Sequence, residues 1–275
     1  MTHEDLFSVQ GRTALVTGAA SGIGLAIVEA LAEGGARVAM LDRDTDRLES
    51  ERDRLCLEGL DVVAEACDVA EEKSVVGAFG AAVMTLGSLD IVFANAGIGA
   101  EGGGYLDRDG NRRDGAGLED YSLTRWNQTL GVNLTGAFLT VREATRHMKP
   151  RHQGRIILTS SVTASNNPAV VGAPYPVSKA AVAHFMRGAA LELAAYGILV
   201  NAIAPGLFAT RVAGGALLDE AVQALAGAGV PLGRIGQPDE IKGLALFLAS
   251  QASNYVTGAH IAIDGGLAVG RADRA

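Results

Sequence analysis

Tyr175 and Lys179 stand four residues apart in the run Tyr175-Pro176-Val177-Ser178-Lys179. On a helix that spacing puts a phenol and an ammonium on one face. A free phenol has a pKa of about 10 and is a poor base at neutral pH. A neighbouring cation favours the phenolate, so the pair is suited to exchanging a proton with an alcohol or a ketone oxygen. Ser161 lies 14 residues before Tyr175, at the end of an apolar run, where a hydroxyl can donate to an oxygen that gains charge. Far upstream is Thr17-Gly18-Ala19-Ala20-Ser21-Gly22-Ile23-Gly24. Gly18 allows a sharp turn, and Gly22 and Gly24 remove side chains where a phosphate must approach the backbone. If a helix starts there, its free N–H groups and partial positive charge face the pyrophosphate.

These residues need a scaffold, and the chain supplies one. Short apolar runs at 13–16, 36–41, 62–67, 89–94, 155–159, 199–204 and 260–263 lack polar alternation. They predict strands buried on both faces, as in a parallel sheet. Helical stretches at 22–33, 44–58, 71–86, 120–148, 174–196 and 239–249 fall between them. Seven strands alternating with six helices predict an α/β fold, a Rossmann-type doubly wound parallel sheet with helices on both faces. The whole of 1–275 reads as one domain. Pro176 is tolerable if it falls in the first turn of its helix.

Asp42 closes the second strand, 18 residues beyond Gly24. An acid at that offset can hold the adenosine ribose hydroxyls and would repel a 2′-phosphate. It predicts NAD rather than NADP, with Arg43 as the group that could reverse the preference.

With these motifs in place, the chain resembles the short-chain dehydrogenase/reductase family from about residue 11 to residue 266. Thr17-Gly-x-x-x-Gly-Ile-Gly24 matches its cofactor motif, with Gly18, Ser21, Gly22, Ile23 and Gly24. Cys67-Asp68-Val69 matches the segment near the adenine. Ala94-Asn95-Ala96-Gly97 matches the family's Asn-Asn-Ala-Gly, with Ala94 in place of the first Asn. Val132-Asn133-Leu134 matches the mid-helix Asn, and 205–210 matches the segment at the nicotinamide carboxamide. The resemblance implies Asn133, Ser161, Tyr175 and Lys179 as catalytic residues. It implies Asp68, Val69, Asn95, Ala96, Gly97, Pro205, Gly206, Phe208 and Thr210 as cofactor contacts, joined by Tyr175 and Lys179. By the same resemblance Lys179 binds the nicotinamide ribose and Asn133 anchors a water on the path from the lysine to solvent. The implied activity is NAD-dependent interconversion of a secondary alcohol and a ketone. Two other readings on this scaffold are a non-catalytic redox sensor and a halohydrin-type lyase. A sensor would be expected to lose Tyr175, Lys179 or Ser161, and the lyase replaces the glycines and the lysine.

Composition excludes other classes. A net charge of −8 argues against nucleic acid as a partner. No apolar run is long enough to span a bilayer, and the N-terminal residues do not form a signal peptide, so a cytoplasmic protein is expected. The five histidines lack metal-ligand spacing, so no metal is expected. Cys56 and Cys67 lie in or near apolar-rich segments and read as buried thiols. Residues 99–117 form a glycine-rich insertion, read as flexible, which is either a solvated loop or a substrate lid. Residues 206–230 resemble the family's mobile substrate loop. Their leucines, Phe208 and Val212 make an apolar or alicyclic substrate plausible without excluding a sugar alcohol. The apolar stripes of 120–148 and 174–196 predict a homotetramer, as is typical of the family.

Overall fold

The computed structural model describes residues 2–100, 103–107 and 110–270. Seven parallel strands form one sheet in the order β3-β2-β1-β4-β5-β6-β7. They are β1 (Thr13–Thr17), β2 (Arg37–Asp42), β3 (Val62–Ala66), β4 (Ile91–Ala94), β5 (Gly154–Thr159), β6 (Ile198–Pro205) and β7 (His260–Ile263). All five residues of β1 are buried, as expected of a central strand covered on both faces. A short α1 (His3–Phe7) precedes the sheet. The main helices are α2 (Gly22–Glu33), α3 (Thr45–Leu57), α4 (Glu72–Leu86), α5 (Leu123–Leu130), α6 (Gly136–Met148), α7 (Pro174–Leu193), α8 (Glu220–Gly227) and α9 (Lys242–Ala249).

Two cores separate the layers. On one face Val75 and Phe79 of α4, Leu139 of α6 and Met186 of α7 pack on the sheet. On the other, Ile27 and Leu31 of α2, Leu55 of α3 and Leu248 of α9 do so. The predicted doubly wound sheet is therefore the observed one. Strand order reverses between β1 and β4, which opens a crevice at the strand C-termini. The glycine turn leaves β1 and Asn95-Ala96-Gly97 leaves β4, so both segments line that crevice.

The sequence-based elements differ from the structure in three places. The stretch 120–148 is helical from Leu123 to Met148, but Gly131–Thr135 widens it into a π-helical turn between α5 and α6. Such turns occur often at functional sites. A helix, α8, interrupts the 206–230 loop, capped by Asp219, whose side chain accepts from Val222 N. Cys56 is exposed while Cys67 is buried. Cys56 lies near the end of α3, where the charged residues set the exposed face and its flanking leucines do not bury it. Pro174 and Pro176 both fall in the first turn of α7. Among the described residues no helix is long and apolar enough to cross a membrane.

The described part of the 99–117 insertion has a defined shape. Leu106 and Arg112 form an antiparallel bridge, and Asp107 N donates to Asn111 O at 2.9 Å. Residues 101–102 and 108–109 of the insertion lie outside the described residues.

Candidate active site

The glycine turn is held by β4. Gly18 and Gly22 have φ of +68° and +56°, in the left-handed region that favours glycine. A Cβ on Gly24 would fall on the Gly18 carbonyl oxygen and lie 2.6 Å from Asn95 Nδ2. Asn95 Nδ2 donates to Thr17 O at 3.1 Å and to Gly18 O at 3.3 Å. Its Oδ1 accepts from Thr159 Oγ1 at 3.0 Å. Thr17 Oγ1 in return accepts from the N–H groups of Asn95 and Ala96, each at 3.1 Å. Asn95 thus fastens the turn to β4 and β5. Ser21 is the N-cap of α2 but gives it no side-chain cap bond. The first N–H groups of α2, including Ile23, gain no such partner and suit an anion. This cradle, which a side chain at Gly24 would fill, fits a dinucleotide pyrophosphate.

The other residues expected to contact a cofactor follow the strand ends. Asp68 Oδ1 accepts from Ala70 N at 2.9 Å, and Val69 is buried against Gly136. Pro205 ends β6, and Gly206 N donates to Ile263 O at 3.0 Å. A Cβ on Gly22 would lie 3.1 Å from Thr210 Cγ2, so the segment after β6 meets the glycine turn. Phe208 is placed differently: its ring packs on Gly236 and belongs to the core, which leaves its backbone as the part that can face the crevice.

Asp42 is already committed. Its Oδ2 accepts from Ala20 N and its Oδ1 from Asp44 N, both at 3.0 Å. The carboxylate closes the glycine turn against the end of β2, and exposed Arg43 is the next side chain.

Four side chains converge beside Gly97. Tyr175 is partly exposed and lies beside Ser161. Burial of the hydroxyl raises the phenol above its ordinary pKa, and the Ser161 hydroxyl opposes that rise. Ser161 Oγ accepts from Thr163 N at 3.1 Å and reaches Pro205 O at 3.5 Å. Ser160 differs: its hydroxyl donates to Lys179 O at 2.9 Å and braces α7. Lys179 Nζ donates to Thr159 O at 2.8 Å and lies 5.7 Å from the Tyr175 ring centroid. Burial lowers its pKa to about 8, so the amine keeps its charge below that pH. A Cβ on Gly97 would lie 3.2 Å from Lys179 Nζ, a tight contact, and 3.4 Å from Asn133 Oδ1, so Lys179 and Asn133 both come up against this backbone.

Asn133 sits in the π-helical turn and is fully buried. Its Oδ1 accepts from Ile98 N at 2.8 Å, and its Nδ2 donates to Ile98 O at 2.9 Å and to Ser178 Oγ at 3.1 Å. Ser178 Oγ donates in turn to Tyr175 O at 2.7 Å. The amide therefore ties the segment after β4 to the first turn of α7. The sequence reasoning missed Thr17, Thr159 and Ser178. Each is a hydroxyl-bearing residue beside a motif residue, which was the available signal.

Some apolar side chains of 206–230 are used within the segment, while Val212, Leu218 and Leu225 are exposed. Ala209, Leu217 and Ile235 form a small core with Leu207, Val222 and Ala226. A groove of about 570 Å³ between α8 and residues 233–240 shares no residue with the Tyr175 constellation. Among the described residues no group of three or more His, Cys, Asp or Glu side chains could hold a metal ion.

A nucleotide cradle at the switch point of a doubly wound sheet, beside a Ser-Tyr-Lys cluster, defines a class of oxidoreductase. The chain belongs to the short-chain dehydrogenase/reductase family: a family model described as enoyl-(acyl carrier protein) reductase matches residues 18–268. It is 35% identical to the gluconate 5-dehydrogenase of Gluconobacter oxydans, over 98% of this chain and 99% of that protein. The crystal structure of a Burkholderia cenocepacia gluconate 5-dehydrogenase in complex with NADP and tartrate superposes with a TM-score of 0.86. That match has 35% identity and covers 98% of this chain and 99% of the other. A Beutenbergia cavernae structure, a putative NAD(P)-dependent gluconate 5-dehydrogenase with bound NADP, gives a TM-score of 0.84 at 34% identity, covering 96% and 99%.

These structures correct the cofactor expectation. Asp42 predicted NAD, yet both relatives hold NADP. At the end of β2 the Asp42 carboxylate accepts two backbone N–H groups, which offset part of its negative potential, and exposed Arg43, the group able to reverse the preference, stands next to it.

Proposed function

We propose that the protein is an NADP-dependent oxidoreductase that interconverts a secondary alcohol and a ketone, with Tyr175 as general acid and base. The observation that carries the reading is the placement of the Tyr175 phenol beside the Ser161 hydroxyl and the buried ammonium of Lys179. In reduction, Tyr175 gives its hydroxyl proton to the oxygen of the forming alcohol; in oxidation it takes that proton back. Ser161 donates to the same oxygen and holds it near Tyr175. Lys179 favours the phenolate electrostatically and holds the nicotinamide ribose. Asn133 keeps Tyr175 in place through Ser178. NADP, when bound, exchanges the hydride with the carbinol carbon.

Gly18, Ser21, Gly22, Ile23 and Gly24 receive the pyrophosphate. Asp68 and Val69 flank the adenine. Asn95, Ala96 and Gly97 form the floor beneath the nicotinamide half, and Pro205, Gly206 and Thr210 meet its carboxamide side. Arg43 takes the 2′-phosphate. An ionic hydrogen bond of this kind contributes about 1.5–3 kcal/mol. Arg43→Ala is therefore expected to weaken NADPH binding about tenfold or more while leaving NADH binding unchanged. A parallel fluorescence titration with the two cofactors checks it, and equal losses for both remove Arg43 from this role.

The substrate class proposed is a polyhydroxy acid of the gluconate type. The relatives with this activity support it. The test is NADPH consumption with 5-keto-D-gluconate and NADPH formation with gluconate and NADP. Absence of turnover in both directions would exclude that substrate class. The homotetramer belongs to the same proposal: Leu123, Phe138, Val177 and Leu191 remain exposed on α5, α6 and α7 of the single chain.

A further inference from the structure

The hairpin within the 99–117 insertion does not stand free. Gly104 N donates to Val170 O at 3.0 Å, and Leu106 N donates to Ala169 O at 3.2 Å. The contact is tight enough to require glycine on both sides. A Cβ on Gly104 would lie 2.7 Å from the carbonyl carbon of Val170. A Cβ on Gly172 would meet Ala100 Cβ at 2.7 Å, Gly103 O at 2.8 Å and the Tyr121 hydroxyl at 3.0 Å. Real Cβ atoms do not tolerate the first two separations, so the backbones would have to move apart.

Gly172 is also the start of the helix that carries the proton donor. Its carbonyl accepts from Tyr175 N at 3.1 Å. The insertion's root is clamped to the same turn from the other side, through Ile98, Asn133, Ser178 and Tyr175 O. Gly99 N further donates to Val212 O at 3.2 Å, which links the root to the substrate loop. The first turn of α7 is thus gripped between the Asn133 clamp and the docked hairpin.

We infer that the insertion hairpin, seated on Ala169–Gly172, is a positioning element for Tyr175, and that Gly172 is the residue through which it acts. A solvated loop would have no reason to meet the rest of the protein at paired glycines. The inference rests on the reading of Tyr175 as acid and base. A shift of the α7 first turn by a fraction of an ångström alters the Tyr175–Ser161 distance and leaves the glycine turn of β1 untouched.

The test is Gly172→Ala in the full-length protein, with kcat measured across pH and NADPH affinity measured by fluorescence. The kcat is expected to fall about tenfold to a hundredfold, the range that misplacement of a reacting group produces. The apparent pKa governing kcat is expected to move, and NADPH affinity to stay within about threefold. Adding Ala100→Gly removes the nearest clashing carbon and is expected to restore kcat several-fold. Gly104→Ala, which unseats the hairpin without touching Gly172, is expected to give the same pattern and serves if Gly172→Ala fails to fold. Unchanged kcat in the folded variants, or a fall in kcat with an unmoved pH profile, would overturn the inference. Tyr175→Phe separates the two claims. If that variant keeps its turnover, the reading of Tyr175 fails; if it is inactive while Gly172→Ala is normal, only the positioning role fails.

Discussion

Tyr175→Phe is expected to lower kcat about 10³-fold, within the 10²–10⁴ range typical of a lost general acid or base. NADPH affinity is expected to remain within about threefold of the parent. The expectation follows from what the hydroxyl touches. The nearby Ser161 keeps its bonds with Thr163 N and Pro205 O when the phenol oxygen is gone. The ring still fills its place beside Lys179, whose Nζ remains anchored to Thr159 O. The variant therefore loses the proton donor and little else. Steady-state kinetics with a parallel cofactor titration checks it. Turnover within tenfold of the parent would remove Tyr175 from its role, and an equal loss of NADPH binding would make the residue structural.

Gly24→Ala is expected to weaken NADPH binding about a hundredfold. Its Cβ would fall on the Gly18 carbonyl oxygen and press on Asn95 Nδ2. Neither can yield cheaply. Gly18 is backbone, and Asn95 is the brace that joins the turn to Thr17 and Thr159. Overpacking of this kind costs about 1–3 kcal/mol, and the upper end corresponds to roughly a hundredfold in affinity if it falls on the cradle. Gly77→Ala is the control. It lies in α4 with no atom near its added Cβ, and it is expected to leave binding unchanged. Fluorescence titration of both variants distinguishes a local cradle effect from a general glycine effect.

Much of this could be read from the chain because the physics was local. Runs such as 13–17 are apolar without alternation because they are buried on both faces, so their pattern reveals both strand and sheet type. The 22–33 helix opens at its glycines and was placed with its observed bounds. The misses depended on tertiary contacts. The π-helical turn at Asn133 keeps the apolar spacing of its neighbours, and only the bonds to Ile98 and Ser178 set it apart. Helix α8 is short and sits in a segment whose leucines resembled a substrate lining, yet Leu217 packs on Ala209 and Ile235. Asp42 carried the correct chemistry for a ribose ligand, but its bonds with the N–H groups of Ala20 and Asp44, and the exposed Arg43 beside it, are weighed by no spacing rule. Ser160 and Ser161 are adjacent in the sequence. The structure separates them, since the Ser160 hydroxyl turns to Lys179 O while Ser161 lies beside Tyr175.

The central claim is transfer of a hydride between NADP and a carbinol carbon, with the proton handled by Tyr175. The most direct measurement uses NADPH carrying deuterium at both C4 positions, 5-keto-D-gluconate as acceptor, and mass spectrometry of the product. The account predicts that the hydroxy acid formed gains one deuterium at the former carbonyl carbon, and that the Tyr175→Phe protein forms almost none in the same time. A product without deuterium, or equal labelling by the two proteins, would contradict it.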